Sequence, residues 1–197
     1  MSIIILDTNC SNLLSIKLSI EKLGYNPVIT TDVHIIQRAK KIFIPGVGSA
    51  SEIMKQFSKN NLLINTLKNV TCPTLGICLG MQVMSSFSDE SGGIDMLGII
   101  DTPVVLLQSG MFPLPHTGWN QVFFNKYHPL FHNIKSGEWF YFLHSYVFSI
   151  NQYTVAHTTY NTIFSSVIQK NNFFGVQFHP EKSGVIGSKL LLNFLEM

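Results

Sequence analysis

A cysteine held between two glycines, Gly76-Ile77-Cys78-Leu79-Gly80, is where residue types and spacing in this 197-residue chain first suggest chemistry. A mostly apolar run, Val70 to Ile77 interrupted by Pro73, leads into it, and a helix-like segment, Met81 to Phe87, follows. A nucleophile with a small residue two positions away on each side is the sequence form of a strand-to-helix elbow. Such a corner needs tight dihedrals, and a side chain at 76 or 80 would collide there. The turn would lift the sulfur to the carboxyl edge of a sheet. There it meets a helix N-terminus, whose unpaired N–H groups favour an anion. The alternative is a structural cysteine in a core turn, and the paired glycines argue against it.

A second candidate lies near the other end of the chain, in Gln177-Phe178-His179-Pro180-Glu181, after the apolar strand Phe173 to Val176. Residues two apart on an extended segment share a side. His179 and Glu181 could therefore act together, with Pro180 stiffening the backbone between them. A carboxylate fixes the tautomer of an imidazole and stabilises the imidazolium. An imidazole near Cys78 could take the thiol proton and return it to a leaving amine. Alone, a His-x-Glu is more often a surface pair. Joined to an elbow cysteine it becomes a candidate Cys78–His179–Glu181 triad, whose closure in space the sequence leaves open. Pro45-Gly46-Val47-Gly48 is a candidate oxyanion hole, with Leu79 N–H as the other donor. An ordinary glycine-rich turn is the competing reading. A phosphate loop is disfavoured, since neither Gly-Lys-Ser/Thr nor GxGxxG occurs.

The elements that must position these groups follow from periodicity. Ser2 to Leu6, Pro27 to Thr30 and Lys41 to Ile44 read as strands. Leu13 to Leu23 repeats apolar residues at helical spacing, and Gly24 can close it. Asp32 suits the N-cap of a helix over Val33 to Ala39, and Ser49 to Lys68 reads as a helix in two pieces broken near Asn60-Asn61. The first half is thus βαβαβαβα, the pattern of an open, mostly parallel sheet with helices on both faces, as in flavodoxin-like folds. Ligands of such sheets bind off the carboxyl ends of the strands. From Gly92 the texture changes. Gly98 to Leu107, His116 to Phe124, Glu138 to Ile150, Thr154 to Tyr160, Thr162 to Lys170 and Phe173 to Phe178 read as strands, several joined by short turns that suggest antiparallel pairing. A last helix spans Val185 to Leu195. No linker or repeat divides residues 1–197, so a single domain is expected.

Composition narrows the function. Hydrophobic residues make up 46% and charged residues only 12%, which hints at a face covered by a partner. A net charge of +2 gives no reason for nucleic-acid binding, and no apolar run reaches the roughly 18 residues of a membrane span. The apolar start, Ile3-Ile4-Ile5-Leu6, reads as a first strand and not a signal peptide. Three cysteines without CxxC spacing fit neither a disulfide framework nor a zinc site, and a reducing cytoplasm suits them. Cys10 and Cys72 read as structural. His34, His128, His132 and His157 lack partners at ligand spacing. His144 reads as a buried, hydrogen-bonded residue or a pocket liner. Trp139, Phe140, Tyr141 and Phe142 read as mostly core, and His116 and Trp119 as core or a partner anchor.

Gly76-Ile77-Cys78-Leu79-Gly80-Met81-Gln82 with His179-Pro180-Glu181 resembles the triad-type (class I) glutamine amidotransferases. Further segments are similar to one branch, the glutaminase subunits of imidazole glycerol phosphate synthases. These are Asp7-Thr8 through Asn12-Leu13, Pro45-Gly46-Val47-Gly48, Leu97-Gly98-Ile99-Ile100, Pro115-His116-x-Gly118-Trp119-Asn120, His144-Ser145-Tyr146, Gly175 to Gly184 and Leu191-x-Asn193-Phe194. The resemblance implies that Cys78 attacks the carboxamide of glutamine, His179 oriented by Glu181 protonates the departing ammonia, and water hydrolyses the thioester. It places Gln82, His144, Ser145 and Tyr146 around the glutamine. It turns Asn12, Trp119, Tyr141 and Lys182 toward a (β/α)₈-barrel cyclase subunit that receives the ammonia, and makes Gly46-Val47 the moving part of the oxyanion hole. No cofactor or metal is implied. Rival readings are a superfamily member serving another synthase or cleaving γ-glutamyl bonds alone, a non-catalytic regulatory subunit, and a cysteine peptidase.

Overall fold

The computed structural model describes residues 2–9 and 12–197, so the reading of Cys10 lies outside the described residues. The first half runs β1 (Ile3–Leu6), α1 (Leu13–Lys22), β2 (Pro27–Thr30), α2 (Val33–Ile36), β3 (Lys41–Ile44), α3 (Ala50–Phe57), α4 (Asn61–Asn69), β4 (Thr74–Ile77) and α5 (Leu79–Gln82). The second half adds β5 (Phe87–Ser88), β6 (Ile94–Asp95), β7 (Val104–Leu106), β8 (His116–Val122), β9 (Glu138–His144), β10 (Tyr146–Phe148), β11 (Thr154–Tyr160), β12 (Thr162–Lys170), β13 (Phe173–Val176) and α6 (Gly184–Glu196).

One mixed sheet of the order β2-β1-β3-β4-β13-β12-β10-β7-β5-β6 carries the fold, with β11 paired to β12. The block from β2 to β13 is parallel, because β13 returns beside β4 in the same direction. Beyond β13 most pairs are antiparallel, as the hairpin turn at Asn171 dictates for β12 and β13. A separate ribbon, β8 with β9, lies over one face.

Strand residues alternate between two cores, the period of a sheet buried on both sides. Ile3, Ile5, Phe43, Leu75, Ile77, Phe174 and Val176 pack with Ile16 and Ile20 of α1, Leu190 and Phe194 of α6, and Phe140 and Phe142 of the ribbon. Ile4, Leu6, Ile42 and Ile44 pack with Ile53 and Phe57 of α3 and Leu63 and Leu67 of α4. Each such fully buried side chain stabilises the fold by roughly 1.5–3 kcal/mol. Ser49 caps α3 and Asn60 caps α4, which splits the 49–68 segment near Asn60-Asn61. Asp32 caps α2 by accepting from His34 N–H.

Several elements are shorter than the pattern implies, each for a local reason. The strand begins at Thr74 and not Val70, because Pro73 brings no N–H and Asn172 Nδ2 donates to the carbonyls of Val70 and Cys72. The segment from Gly98 becomes a strand only at Val104, after Pro103. The helix expected over Met81 to Phe87 is confined to Leu79–Gln82, and Phe87 joins the sheet extension. The run Glu138 to Ile150 is two strands in two sheets, broken at Ser145, whose carbonyl accepts from Leu107 N–H.

Candidate active site

The elbow has the strain its sequence demands. Cys78 sits at φ 54° and ψ −112°, a conformation that costs a side-chain-bearing residue about 1–3 kcal/mol. Glycines let the corner close. A Cβ on Gly80 would lie 1.7 Å from Ile44 O, one on Gly76 2.4 Å from Gly80 O, and one on Gly46 2.6 Å from Gly80 N. The end of β3, the Pro45–Gly48 loop and the elbow therefore pack backbone to backbone. Leu79 is the first residue of α5, where no preceding turn offers its N–H a carbonyl. Thr8 Oγ1 donates to Pro45 O at 3.2 Å, and Glu90 Oε2 accepts from Ala50 N–H at 2.9 Å, which pins the loop from two sides.

His179 and Glu181 meet, though not by the extended geometry the spacing suggests. His179 is extended, but Pro180–Lys182 folds into a 3-10 turn that brings Glu181 back onto the ring. Gly187 permits the turn, since a Cβ there would lie 2.0 Å from Pro180 O. His179 Nδ1 and Glu181 Oε1 are 2.8 Å apart, and both side chains are wholly buried. The backbone of His179 is held as well: its N–H donates to Tyr141 O at 2.8 Å and its carbonyl accepts from Ser183 Oγ at 2.6 Å.

Electrostatics join this pair to the cysteine. Burial pushes the His179 imidazole down, but the charge and hydrogen-bonding reach of Cys78, followed by Glu181, outweigh it and raise it to about 10. His179 Nε2 is buried and makes no hydrogen bond of good geometry among the described residues, yet it lies within electrostatic reach of the sulfur. The arrangement can hold an imidazolium beside a thiolate, with Glu181 stabilising the cation. Cys78 Sγ also lies 3.5 Å from Leu143 O and 3.7 Å from Gln177 Nε2.

A cavity of about 230 Å³ opens onto the sulfur. It is smaller than the roughly 300–1,000 Å³ sites of drug-sized ligands. Val47 and Gly48 line it with Cys78 and Leu79, Gln82, His144, Ser145 and Tyr146 form much of the wall, and Glu90, Pro115 and Leu143 add to it. Gln82 Nε2 donates to Tyr146 O at 2.8 Å and Gln177 Oε1 at 2.9 Å, so only its Oε1 is left to face an occupant. Both ring nitrogens of His144 are engaged, Nδ1 with Tyr146 O at 3.1 Å and Nε2 with His116 Nδ1 at 3.0 Å. Burial lowers His116 to about 4, and burial followed by His116 itself lowers His144 to about 3. Both are neutral, and His144 supports the wall without offering it a ring donor.

The residues expected to face a partner divide. Trp119 is exposed on the outer face of β8, edge-on to Tyr141 with ring centroids 6.1 Å apart, and Lys182 Nζ lies 5.9 Å from the Tyr141 ring. Asn12 is placed differently: it is buried, and its Nδ2 donates to Glu181 Oε1 at 3.1 Å. Trp139, read as core, is exposed on the same outer face as Trp119 and Tyr141, while Phe140 and Phe142 point inward. His116 is core and not an anchor. Sequence reasoning missed the contacts of Asn12, Leu143 and Gln177, because a carbonyl, a loop amide and a buried amide carry no motif of their own.

The class-I glutamine amidotransferase profile matches residues 4–197. The imidazole glycerol phosphate synthase subunit HisH of Buchnera aphidicola subsp. Schizaphis graminum is 57% identical over 198 residues, with 100% of each chain covered. Those of Blochmanniella pennsylvanica and Pectobacterium atrosepticum are 53% and 49% identical over 197 residues, again covering 100% of both chains. Among solved structures, PurLQS from Thermotoga maritima superposes with a TM-score of 0.75 at 15% identity, covering 99% of this chain and 97% of that one, a likeness of fold. With this coverage and identity, the chain belongs to the class-I glutamine amidotransferase family, in the branch of the imidazole glycerol phosphate synthase HisH subunits.

Proposed function

We propose that this glutamine amidotransferase subunit of imidazole glycerol phosphate synthase takes glutamine into the cavity above Cys78 and hydrolyses it there. The carrying observation is the buried His179–Glu181 pair, 2.8 Å apart, brought to an elbow cysteine at the floor of that cavity. Cys78 attacks the carboxamide carbon, and the developing oxyanion turns toward the N–H groups of Val47 and Leu79 in the Gly46–Leu79 contact region. His179, kept protonated by its neighbours, gives its proton to the departing ammonia. Water then attacks the thioester with His179 as base, and glutamate leaves. Gln82 presents Oε1 to the substrate, and the His144-Ser145-Tyr146 corner closes the wall.

The ammonia passes to a (β/α)₈-barrel cyclase subunit, which uses it to form imidazole glycerol phosphate with release of an aminoimidazole carboxamide ribotide. Trp119, Tyr141 and Lys182 form the docking face, and Asn12 reports on the same edge from inside, through Glu181. Docking turns the Gly46-Val47 peptide so that its N–H meets the oxyanion. We read residues 1–197 as one amidotransferase domain working in the cytoplasm. Among the described residues no helix is long and apolar enough to cross a membrane.

The test is glutamate release from glutamine by the purified chain, alone and then with the barrel cyclase plus its nucleotide ligand. Near-silence alone with strong activation by both is the expected result. Equal rates in all conditions would favour a free-standing glutaminase, and no rate in any would favour a binding-only role.

A further inference from the structure

Two runs of hydrogen bonds meet at Tyr146 O, one arriving from β8 and one from the side of the nucleophile. Asn120 starts the first. Its Oδ1 accepts from Gln121 N–H at 2.8 Å and its Nδ2 donates to Thr159 O at 3.0 Å, so the amide has one orientation. Its second N–H faces His116 Nε2 at 3.2 Å, which must accept. His116 then carries its proton on Nδ1 and donates it to His144 Nε2. His144 donates from Nδ1 to Tyr146 O, an acceptor only. The same carbonyl fixes Gln82, whose Nε2 donates to it, and the other N–H of Gln82 requires Gln177 to present Oε1. The NH₂ of Gln177 is left pointing at Cys78 Sγ, 3.7 Å away. Amide and imidazole orientations are ordinarily ambiguous, but pure donors and acceptors along these runs resolve every one of them.

We propose that Gln177 is a built-in hydrogen-bond donor to the Cys78 sulfur, held in the donating orientation by Gln82, which the Tyr146 carbonyl itself orients. Gln177 is wholly buried, and β13 ends just before it, so its backbone is fixed by the sheet through N–H donation to Ser166 O at 2.9 Å. The sulfur thus has two settings. A neutral thiol can donate to Leu143 O, at 3.5 Å, whereas a thiolate would be repelled by that carbonyl and drawn to the Gln177 N–H. Donation to a charged acceptor is the stronger kind, so Gln177 favours the thiolate form. The inference rests on Cys78 being the nucleophile of the proposed reaction, and it adds a residue that the triad leaves out.

Alkylation of Cys78 by iodoacetamide in the full chain, followed by mass spectrometry from pH 6 to pH 10, tests it without using glutamine. Gln177→Met should slow alkylation about tenfold at pH 7. In the activated complex, kcat for glutamate release should fall by a similar factor with KM nearly constant. A folded Gln177→Met chain with the parent's alkylation profile overturns the proposal. Should that variant not fold, the parent decides: the side-chain amide protons of Gln177, followed by NMR, must move with the pH dependence of Cys78 alkylation and lose that response in Cys78→Ala. Amide protons indifferent to that transition overturn the proposal. A parent Cys78 inert to alkylation at every pH would overturn both this inference and the reaction on which it rests, whereas a reactive parent with an unaltered variant removes Gln177 alone.

Discussion

At Glu181 one carboxylate oxygen accepts from both His179 Nδ1 and Asn12 Nδ2, and the other is buried without a hydrogen-bond partner among the described residues. Concentrating both donors on one oxygen aligns the carboxylate with the imidazole edge. Glu181→Gln keeps the shape and removes the charge. Glutamate release in the activated complex should then fall by about 10²–10⁴, the usual worth of a positioned acid–base group, with binding of the cyclase unchanged. Asn12→Ala removes one donor and should cost about tenfold to a hundredfold in the same assay, a loss in keeping with one hydrogen bond to a charged group. The His179 ring also couples the site to stability. Its folded-state value, about 10, lies above the ordinary 6.5. The folded protein therefore holds that proton more tightly, and the contribution is fully present below about pH 6.5 and lost as pH rises toward 10. Urea midpoints taken between pH 7 and pH 10 should decline. The decline should be shallower in Cys78→Ala, which removes the largest influence raising the ring.

Elements carry constraints that no single contact explains. The elbow closes only because Gly46, Gly76 and Gly80 let three backbone segments touch, and Gly80 is the tightest of them. Gly80→Ala would put a methyl 1.7 Å from Ile44 O, so β3 or α5 must shift. A loss of about 4 kcal/mol or more is expected, measurable by chemical denaturation or by failure to accumulate folded protein. The ribbon makes the opposite demand, for neutral histidines in its core. His116 and His144 are lowered to about 4 and about 3 by burial, so unfolding takes up protons in mild acid. Their contribution is present above about pH 6.5 and is lost as pH falls through those values. Stability should drop by up to two protons' worth of slope between pH 6 and pH 4.5, and by about one in His116→Gln. The elbow and the parallel strands were legible in the sequence because glycine spacing and alternation are local. The break at Ser145 was not, for Leu143-His144-Ser145-Tyr146-Val147 holds no glycine or proline and keeps strand propensity while the chain changes sheets. Likewise Glu181 reaches His179 through a 3-10 turn whose room comes from Gly187 on the next helix, a contact that spacing within His179-Pro180-Glu181 cannot contain.

Across the whole molecule, charged residues are 12% of the chain, and the outer face of β8 and β9 presents Trp119, Trp139, Tyr141 and Leu143 side by side. Aromatic residues on a ribbon flanked by Lys182 have the composition of an interface centre with a charged rim. The same ribbon is one bond from the His179–Glu181 pair, since Tyr141 O accepts from His179 N–H and Tyr141 N–H donates to Ser183 Oγ. A partner that presses on this face therefore acts on the strand that holds His179. Trp119 belongs to the face and makes no contact with the pair. Trp119→Ala should weaken cyclase binding about 30-fold, the equivalent of ~2 kcal/mol, as measured by titration calorimetry. The thermal midpoint of the free chain should stay unchanged, because the side chain is 53% exposed. Glutamate release should return to the parent rate once the partner is saturating, because Cys78, His179 and Glu181 are unaltered and only docking is impaired. Unchanged affinity would remove Trp119 from the interface. A low rate at saturation would mean that Trp119 takes part in transmitting the signal as well as in binding.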